Sequence, residues 1–257
     1  MNYTLITGAS QGIGRALAFR FARDGNNLIL LARSEDSLQT LATELTEKHH
    51  IRVEIMVKDL LAPDAAYDVF RQCQKNDWLV RILVNNAGMA HWGEFENLSL
   101  EHLQESMLLN QQVMVSLCHY FIPQMKGLPY AHILNVSSTA AFQPTPYFSV
   151  YAASKCFVLS FSRSLRQELK RYKINVSCLC PGPTKTPFYS TAGFSAMEKN
   201  SGAMMPADEV ADIALEGMLR KQGLIIPGFS NRLGRWMSKL LPASWMSALL
   251  GNYFKPA

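Results

Sequence analysis

Short apolar runs with the composition of β-strands alternate with longer helical patterns along almost the whole chain. Predicted strands cover residues 3–7, 27–32, 52–58, 81–86, 131–137, 174–180 and 224–227. Predicted helices lie between and after them, at residues 12–25, 35–49, 63–76, 99–122, 150–172 and 206–221. Strands that are apolar at nearly every position are typical of a parallel sheet covered on both faces. The alternation therefore predicts an α/β fold, a doubly wound sheet of about seven mainly parallel strands with helices on both faces.

No linker or change in composition divides the 257 residues. We therefore predict a single domain over residues 1–257, with a C-terminal amphipathic extension over residues 229–257. The extension is expected to form two short helices separated at Pro242, and Trp236, Trp245 and Phe254 lie among basic residues there. Three interpretations remain open. The extension packs on a neighbouring subunit, covers a ligand pocket or contacts a membrane surface, and the third is not favoured.

Composition and charge argue against several classes of function. The net charge of +5 comes without a dense basic run with interleaved aromatic residues, which argues against nucleic-acid binding. The five cysteines include no CxxC pair and fit no zinc spacing, so no metal site is predicted. The N-terminus lacks the pattern of a signal peptide, and no run of about 18 apolar residues predicts a spanning helix. A cytoplasmic location is the expectation.

The segment TGASQGIG, residues 7–14, lies where the first predicted strand turns into the first helix. Glycine allows a tight turn and close approach to a ligand, and the free amides of a helix N-terminus attract a pyrophosphate. The spacing of Gly8, Gly12 and Gly14 is GxxxGxG, which differs from the GxGxxG of the standard dinucleotide fingerprint. A nucleotide site is predicted here, and a plain tight turn is the alternative.

The second predicted strand ends at Ala32 and is followed by Arg33. A site that prefers NAD places an acidic side chain at this position to bind the ribose 2′-hydroxyl, and such an acid would repel a 2′-phosphate. A guanidinium would instead bind that phosphate through charge-assisted hydrogen bonds. The sequence therefore favours NADP over NAD, unless Arg33 is only a solvated loop residue.

Chemically suited residues also follow the other predicted strands. Asp59 follows the third and could reach an adenine amino group or only cap its own turn, and NNAG at 85–88 ends the fourth. The fifth ends in NVSS and the sixth in CPGPTKT. Since ligands of open α/β sheets bind at the carboxyl ends of the strands, these segments are expected to form one nucleotide site.

TGASQGIG, NNAG, a serine thirteen residues before a tyrosine, YAASK and PGPTKT occur in this order within residues 1–228. This ordered set resembles the short-chain dehydrogenase/reductase family, in its compact single-domain branch. The resemblance implies a Rossmann-type fold, a nicotinamide cofactor, a small-molecule carbonyl or alcohol substrate and a homodimer or homotetramer. Together with Arg33 it makes NADP(H) the expected cofactor.

The resemblance also implies catalytic roles. Tyr151 would be the acid/base, and Lys155 would bind the nicotinamide ribose and lower the pKa of the tyrosine. Ser138 would polarise the carbonyl, because the thirteen-residue spacing to Tyr151 selects it over Ser137. Asn110 would position a water in the proton relay. On the same helix, a packing face of Phe157, Phe161 and Leu165 is expected to meet the core or a partner.

The predicted cofactor contacts combine the strand ends with the catalytic pair. They are Gly8, Ser10, Gln11, Gly12, Ile13, Gly14, Arg33, Asp59, Leu60, Asn86, Ala87, Gly88, Tyr151, Lys155, Pro181, Gly182, Thr184 and Thr186. Candidate substrate-pocket residues are His91, Trp92, Tyr147 and Phe188. The loop at 183–205 is rich in aromatic residues and methionine, including Met197, which favours an apolar pocket.

The expected function is hydride transfer between NADP(H) and a carbonyl or secondary alcohol, with a lipophilic ketone or aldehyde as the substrate. Two alternatives come from other classes. The chain could be a non-catalytic NADP-binding sensor or scaffold, or a membrane-surface interaction protein that acts through its C-terminal extension.

Overall fold

The computed structural model describes residues 1–194 and 204–256, and Met197 of the predicted apolar loop lies outside them. A seven-stranded sheet has the order β3-β2-β1-β4-β5-β6-β9, and all its pairs are parallel. Two short strands, β7 and β8, pair separately. The strands are β1 Asn2–Thr7, β2 Asn27–Ala32, β3 Val53–Val57, β4 Leu79–Asn85, β5 Ala131–Val136, β6 Ile174–Leu179, β7 Thr184–Lys185, β8 Met205–Pro206 and β9 Leu224–Ile225.

Helices connect the strands and follow the last one. They are α1 Gly12–Arg23, α2 Glu35–His49, α3 Ala65–Lys75, α4 Leu100–Met107, α5 Met114–Met125, α6 Ser149–Leu169, α7 Phe188–Thr191, α8 Ala207–Leu219, α9 Phe229–Leu240 and α10 Ala243–Phe254. The predicted doubly wound, mainly parallel α/β sheet with helices around it is confirmed. None of the helices within the described ranges combines the length and apolar content needed to cross a membrane.

Two apolar cores lie on opposite faces of the sheet, because successive strand residues point to opposite sides. Ile6 of β1 packs with Leu17 of α1 on one face, where α2 and α8 also contribute. The neighbouring Leu5 packs with Phe121 of α5 on the other face, where α3 and α6 also contribute. All four of these side chains are fully buried. Packing on both faces therefore fixes the strands, and with them the positions of their carboxyl ends.

The structure differs from the predicted helices mainly at two places. The helix predicted over 99–122 is α4, a π-helical segment at Leu108–Val113 and α5. The helix predicted from residue 63 begins at Ala65, because Asp64 has a φ of 55° and does not continue a helix. On the predicted packing face of α6, Leu165 is buried in the core, whereas Phe157 is 41% exposed and stacks on Phe161, so a contact of Phe157 with a partner stays a prediction.

The C-terminal extension forms the two helices that the sequence predicts, and Leu241 and Pro242 separate them. Neither α9 nor α10 contains a buried residue. Trp236 and Trp245 are 61% and 70% exposed. The extension therefore lies on the outside of the sheet-and-helix body and contacts it along one side only.

Candidate active site

The carboxyl ends of the strands open onto one cleft of about 530 Å³. It lies where the strand order reverses, since β2 and β3 extend from β1 to one side and β4 to β6 to the other. Seventeen of the eighteen predicted cofactor residues line it, and Gly14 is the exception. The parallel topology thus brings together segments that are far apart in the chain.

The glycine-rich loop is held by the strand beside it. The Asn86 side-chain amide donates to the carbonyl oxygens of Thr7 and Gly8, at 2.9 and 3.1 Å. The Thr7 hydroxyl in turn accepts from the amides of Asn86 and Ala87, both at 2.9 Å. A Cβ on Gly14 would lie 2.1 Å from the Gly8 carbonyl oxygen. Gly14 therefore serves the packing of helix against loop, rather than ligand contact.

The end of the cleft beside β2 is polar and carries no acidic side chain directly after that strand. Arg33 is exposed and lines the cleft with Ser34, Ser37 and Lys58. The two serine hydroxyls lie 2.8 Å apart, and the Lys58 ammonium pairs with a carboxylate of α3. These donors suit a phosphate group. Sequence reasoning missed both serines and Lys58, although Lys58 ends the predicted third strand directly before Asp59.

Asp59 lines the same cleft, but its side chain has a local partner. Its Oδ1 accepts a hydrogen bond from the Leu61 amide at 3.0 Å. This is the turn-capping arrangement that the sequence left open as an alternative. One oxygen of the carboxylate is therefore engaged within the turn.

Three of the four predicted catalytic side chains meet at the opposite end of the cleft. Tyr151 and Lys155 lie one turn apart on α6, and the Lys155 nitrogen is 5.6 Å from the Tyr151 ring centroid. The Lys155 ammonium donates to the Val136 carbonyl at 3.0 Å. Ser138, directly beyond β5, lines the cleft with Tyr151 and Lys155. The neighbouring Ser137 instead donates to the Lys155 carbonyl at 2.7 Å.

Burial governs the pKa values of this pair. Desolvation raises the pKa of Tyr151 to about 12, and the Ser138 side chain opposes part of that rise. Desolvation also lowers the pKa of Lys155 to about 8. Both shifts disfavour the charged forms. The expectation that Lys155 lowers the pKa of Tyr151 stays a prediction.

Asn110 lies behind the cleft wall, in the π-helical segment, and is 2% exposed. Its Oδ1 accepts from the Met89 amide at 3.0 Å, and its Nδ2 donates to the Met89 carbonyl and the Ser154 hydroxyl at 2.9 and 3.1 Å. The carboxamide thus holds the chain beyond β4 against α6. The predicted role of Asn110 in positioning a water of the proton relay stays a prediction.

Of the four candidate substrate-pocket residues, only Phe188 lines the cleft. Its ring centroid lies 5.4 Å from that of Tyr151. His91 stacks on His102 at 5.0 Å, and burial lowers its pKa. Tyr147 has a φ of 65°, and its carbonyl accepts from the Gly93 amide.

The wall around the Tyr151 hydroxyl contains mainly apolar residues. Those that the sequence did not single out as pocket residues include Met89, Ala90, Leu109, Tyr189 and Ala192. Tyr189 could have been found, because it adjoins Phe188 in the loop that the sequence marked as apolar. Nothing in the sequence marks Ala90 or Ala192 as a pocket residue. No cluster of three or more metal-ligating side chains occurs within residues 1–194 and 204–256.

The fold and the cleft define an α/β oxidoreductase that binds a nicotinamide dinucleotide. A glycine turn at a strand end, a buried lysine and a tyrosine beside a serine provide contacts that fit such a cofactor. The chain belongs to the short-chain dehydrogenase/reductase family, since the family model for short chain dehydrogenases matches residues 2–193.

Known proteins similar to this chain include a curated relative and two solved structures. Over 195 residues this chain is 35% identical to 17-beta-hydroxysteroid dehydrogenase type 3 of Mus musculus, and the match covers 72% of this chain and 61% of that protein. A short-chain dehydrogenase from Sphingobium yanoikuyae in complex with NADPH superposes with a TM-score of 0.84 at 32% identity, covering 93% of each chain. The bulky-bulky ketone specific alcohol dehydrogenase from Comamonas testosteroni gives a TM-score of 0.80 at 28% identity, again over 93% of each chain.

Proposed function

We propose that this chain is an NADP(H)-dependent oxidoreductase that transfers a hydride between the nicotinamide and a carbonyl or secondary alcohol. A lipophilic ketone or aldehyde is the proposed substrate, and Tyr151 is the acid/base. The observation that carries the proposal is the placement of Ser138, Tyr151 and Lys155 in one cleft, with the Lys155 ammonium 5.6 Å from the tyrosine ring at the apolar end.

The protonation states of the site favour carbonyl reduction at neutral pH. The bound cofactor supplies the hydride. With a pKa of about 12, Tyr151 holds its proton and can donate it to the alkoxide oxygen that develops on the carbonyl. The Ser138 hydroxyl can donate a second hydrogen bond to the same oxygen, a contribution typically of about 100-fold in rate or more. Lys155, with a pKa of about 8, is mostly cationic at pH 7 and stabilises negative charge on the tyrosine once its proton has left.

The preference for NADP(H) is supported by the polar end of the cleft. Arg33 and Lys58 are two cations within reach of a phosphate placed at the end of β2, and Ser34 and Ser37 add hydroxyl donors. The related Sphingobium yanoikuyae enzyme was solved in complex with NADPH. An adenosine ribose that carries a 2′-phosphate would gain these contacts, whereas NAD(H) would leave them unused.

The preference for a lipophilic substrate is supported by the wall around Tyr151. Phe188 contacts the tyrosine ring, and Tyr189, Ala90 and Ala192 continue the apolar surface. The name of one related structure specifies bulky ketones, and that of one curated relative specifies a hydroxysteroid. A pocket of this composition favours large apolar groups beside the reacting carbonyl.

A carbonyl panel tests the proposal directly. Purified protein is mixed with NADPH or NADH and with acetone, benzophenone or androstenedione, and oxidation of the reduced nicotinamide is followed by absorbance. We expect turnover of the bulky ketones with NADPH, and loss of at least about 1,000-fold in kcat in Tyr151→Phe. Binding of NADPH without turnover of any carbonyl or alcohol would instead identify a non-catalytic sensor or scaffold.

The oligomeric state and the cellular location stay predictions. A homodimer or homotetramer is supported by Phe157 on the outer face of α6, which is 41% exposed, stacks on the partly buried Phe161 and could be covered by a second subunit. Sedimentation of the wild type and of Phe157→Glu tests the subunit contact, and a monomeric wild type would contradict it. The predicted cytoplasmic location is tested by localising the protein in the cell that produces it.

A further inference from the structure

Four aromatic side chains from separate parts of the chain form one cluster behind the apolar end of the cleft. Trp92 follows β4, Phe148 precedes α6, Phe194 follows α7 and Phe254 ends α10. Phe148 and Phe194 are buried, and the other two are partly buried. The C-terminal extension thus takes part in a structure that begins at the catalytic tyrosine.

Phe254 is joined to this cluster by its ring and by its backbone. Its ring meets Phe148 edge to face, with centroids 5.4 Å apart, and lies 5.6 Å from Phe194. The Trp92 indole nitrogen donates to the Phe254 carbonyl at 2.8 Å. Edge-to-face contacts and a buried indole hydrogen bond both fix relative orientation. One residue of α10 therefore fixes the orientation of three aromatic neighbours.

The cluster is connected to the reacting end of the cleft along two lines. Phe148 lies 6.1 Å from the Tyr151 ring, and its carbonyl accepts from the Ala152 amide in the first turn of α6. The Trp92 amide donates to the carbonyl of Ala192, which lines the cleft. A displacement of Phe254 would therefore be transmitted to the apolar wall in front of the tyrosine.

We propose that α10 is the outer support of the substrate wall and that Phe254 is a positioning residue for a bulky apolar group beside the reacting carbonyl. The inference rests on the proposed function and deepens it. A large ketone places its apolar group against the wall of Ala90, Ala192 and Phe188. Its binding therefore depends on the aromatic cluster that supports this wall from behind. A small ketone occupies only the space beside Tyr151 and Ser138.

The test compares Phe254→Ala with Phe254→Leu and with Leu249→Ala. Leu249 lies on the same helix and is 66% exposed, so its truncation controls for general effects on α10. For Phe254→Ala we expect KM for benzophenone to rise about 10-fold or more, while KM for acetone and kcat for both ketones change by less than about 3-fold. Phe254→Leu should recover most of the benzophenone KM, and Leu249→Ala should match the wild type.

A binding measurement makes the outcome independent of turnover. In the Tyr151→Phe background with saturating NADPH, calorimetry gives the Kd of benzophenone. Adding Phe254→Ala should raise that Kd about 10-fold or more, with no change in the Kd of NADPH beyond about 2-fold.

Two results would overturn the inference: an unchanged Kd for benzophenone, or equal losses with benzophenone and acetone, which would show a general structural role. Failure of the proposed function is distinct from both of these, because it would appear as a wild type that turns over no carbonyl or alcohol.

Discussion

The Ser137 hydroxyl donates a 2.7 Å hydrogen bond to the backbone carbonyl of Lys155. This bond ties the end of β5 to the catalytic helix and turns Ser137 away from the tyrosine. The next residue, Ser138, lines the cleft with Tyr151, and its side chain lowers the pKa of the tyrosine. Two adjacent serines thus have different tasks, one in the packing of α6 and one in the chemistry.

Alanine substitutions should separate these tasks. Ser137→Ala removes a buried hydrogen bond and should lower the free energy of unfolding by about 1 kcal/mol, with kcat within a few fold of the wild type. Ser138→Ala should leave stability nearly unchanged and lower kcat about 100-fold. Urea denaturation and ketone turnover measure the two effects, and a similar loss of kcat in both variants would contradict the assignment.

The pKa of Lys155 should appear in the pH dependence of NADPH use. Burial lowers this pKa to about 8, so the lysine loses its charge as pH rises through that value. Since kcat/KM reports ionisations of the free enzyme, kcat/KM for NADPH should fall above about pH 8. Lys155→Arg keeps a cation at higher pH and should remove the fall. A wild-type profile that stays flat from pH 8 to pH 9.5, about one and a half pH units, would exclude Lys155 as the titrating group.

Arg33 should decide between the two cofactors. Loss of a charge-assisted hydrogen bond to a phosphate costs about 1.5–3 kcal/mol, so Arg33→Ala should weaken NADPH binding about 10- to 100-fold. NADH lacks the phosphate, and its Kd should change by less than about 2-fold. Arg71→Ala, on the distant helix α3, is the control. Equal losses for the two cofactors would show that Arg33 does not contact the phosphate.

Two glycines should respond to alanine in opposite directions. A Cβ at Gly14 would overlap the Gly8 carbonyl oxygen, whereas a Cβ at Gly234 in α9 meets nothing within 4 Å. Gly14→Ala should cost about 3 kcal/mol or more of stability and disturb the cofactor loop. Gly234→Ala should gain about 0.5–1 kcal/mol through helix propensity. Thermal unfolding with and without NADPH checks both, and a stable Gly14→Ala protein would contradict the packing role.

His132 should make the protein sensitive to acid. Its ring is buried between Tyr130 and Ser177, and burial, with a smaller effect of Arg166, lowers its pKa from 6.5 to about 3. The unfolded chain takes up a proton near pH 6.5 and the folded protein does not. Stability is therefore present above pH 6.5 and is lost as pH falls toward 3, by up to about 1.4 kcal/mol per unit.

His132→Gln tests this source of acid sensitivity. The glutamine side chain does not titrate, so the variant should lose less stability than the wild type between pH 6.5 and 4, a window of about two and a half units. Urea midpoints measured across this range give the comparison. Parallel curves for the two proteins would show that His132 does not contribute.

The sequence predicted the sheet well because its physical signals are local. Nearly continuous apolar runs mark buried parallel strands, and the turn residues after them mark the ligand edge. Arg33 and Asp59 could be assigned to one cleft for that reason, without any knowledge of side-chain contacts, whereas Tyr151 was assigned through the family resemblance. Lys58 was accessible to the same reasoning and was overlooked in favour of its neighbour Asp59.

Other features depend on contacts between distant residues, and these leave no periodic signal. Trp92 and Phe254 are joined by a hydrogen bond across 162 positions of the chain. Asn110 has its amide groups occupied by Met89 and Ser154, which no motif indicates. The direction of the Tyr151 pKa shift likewise follows from burial, which is a property of the whole cleft.

The π-helical segment at Leu108–Val113 constrains how many residues this part of the chain contains, rather than which residues they are. Each residue of a helix advances the side chains by about 100°, so deletion of one residue here would rotate α5 against α4 by that angle. Asn110 would lose Met89, and Leu117 and Phe121 would turn out of the core at the same time. Single substitutions in this segment can be tolerated, but the deletion of a residue cannot. Chains that share this arrangement should therefore align through it without insertions or deletions, even where their residues differ.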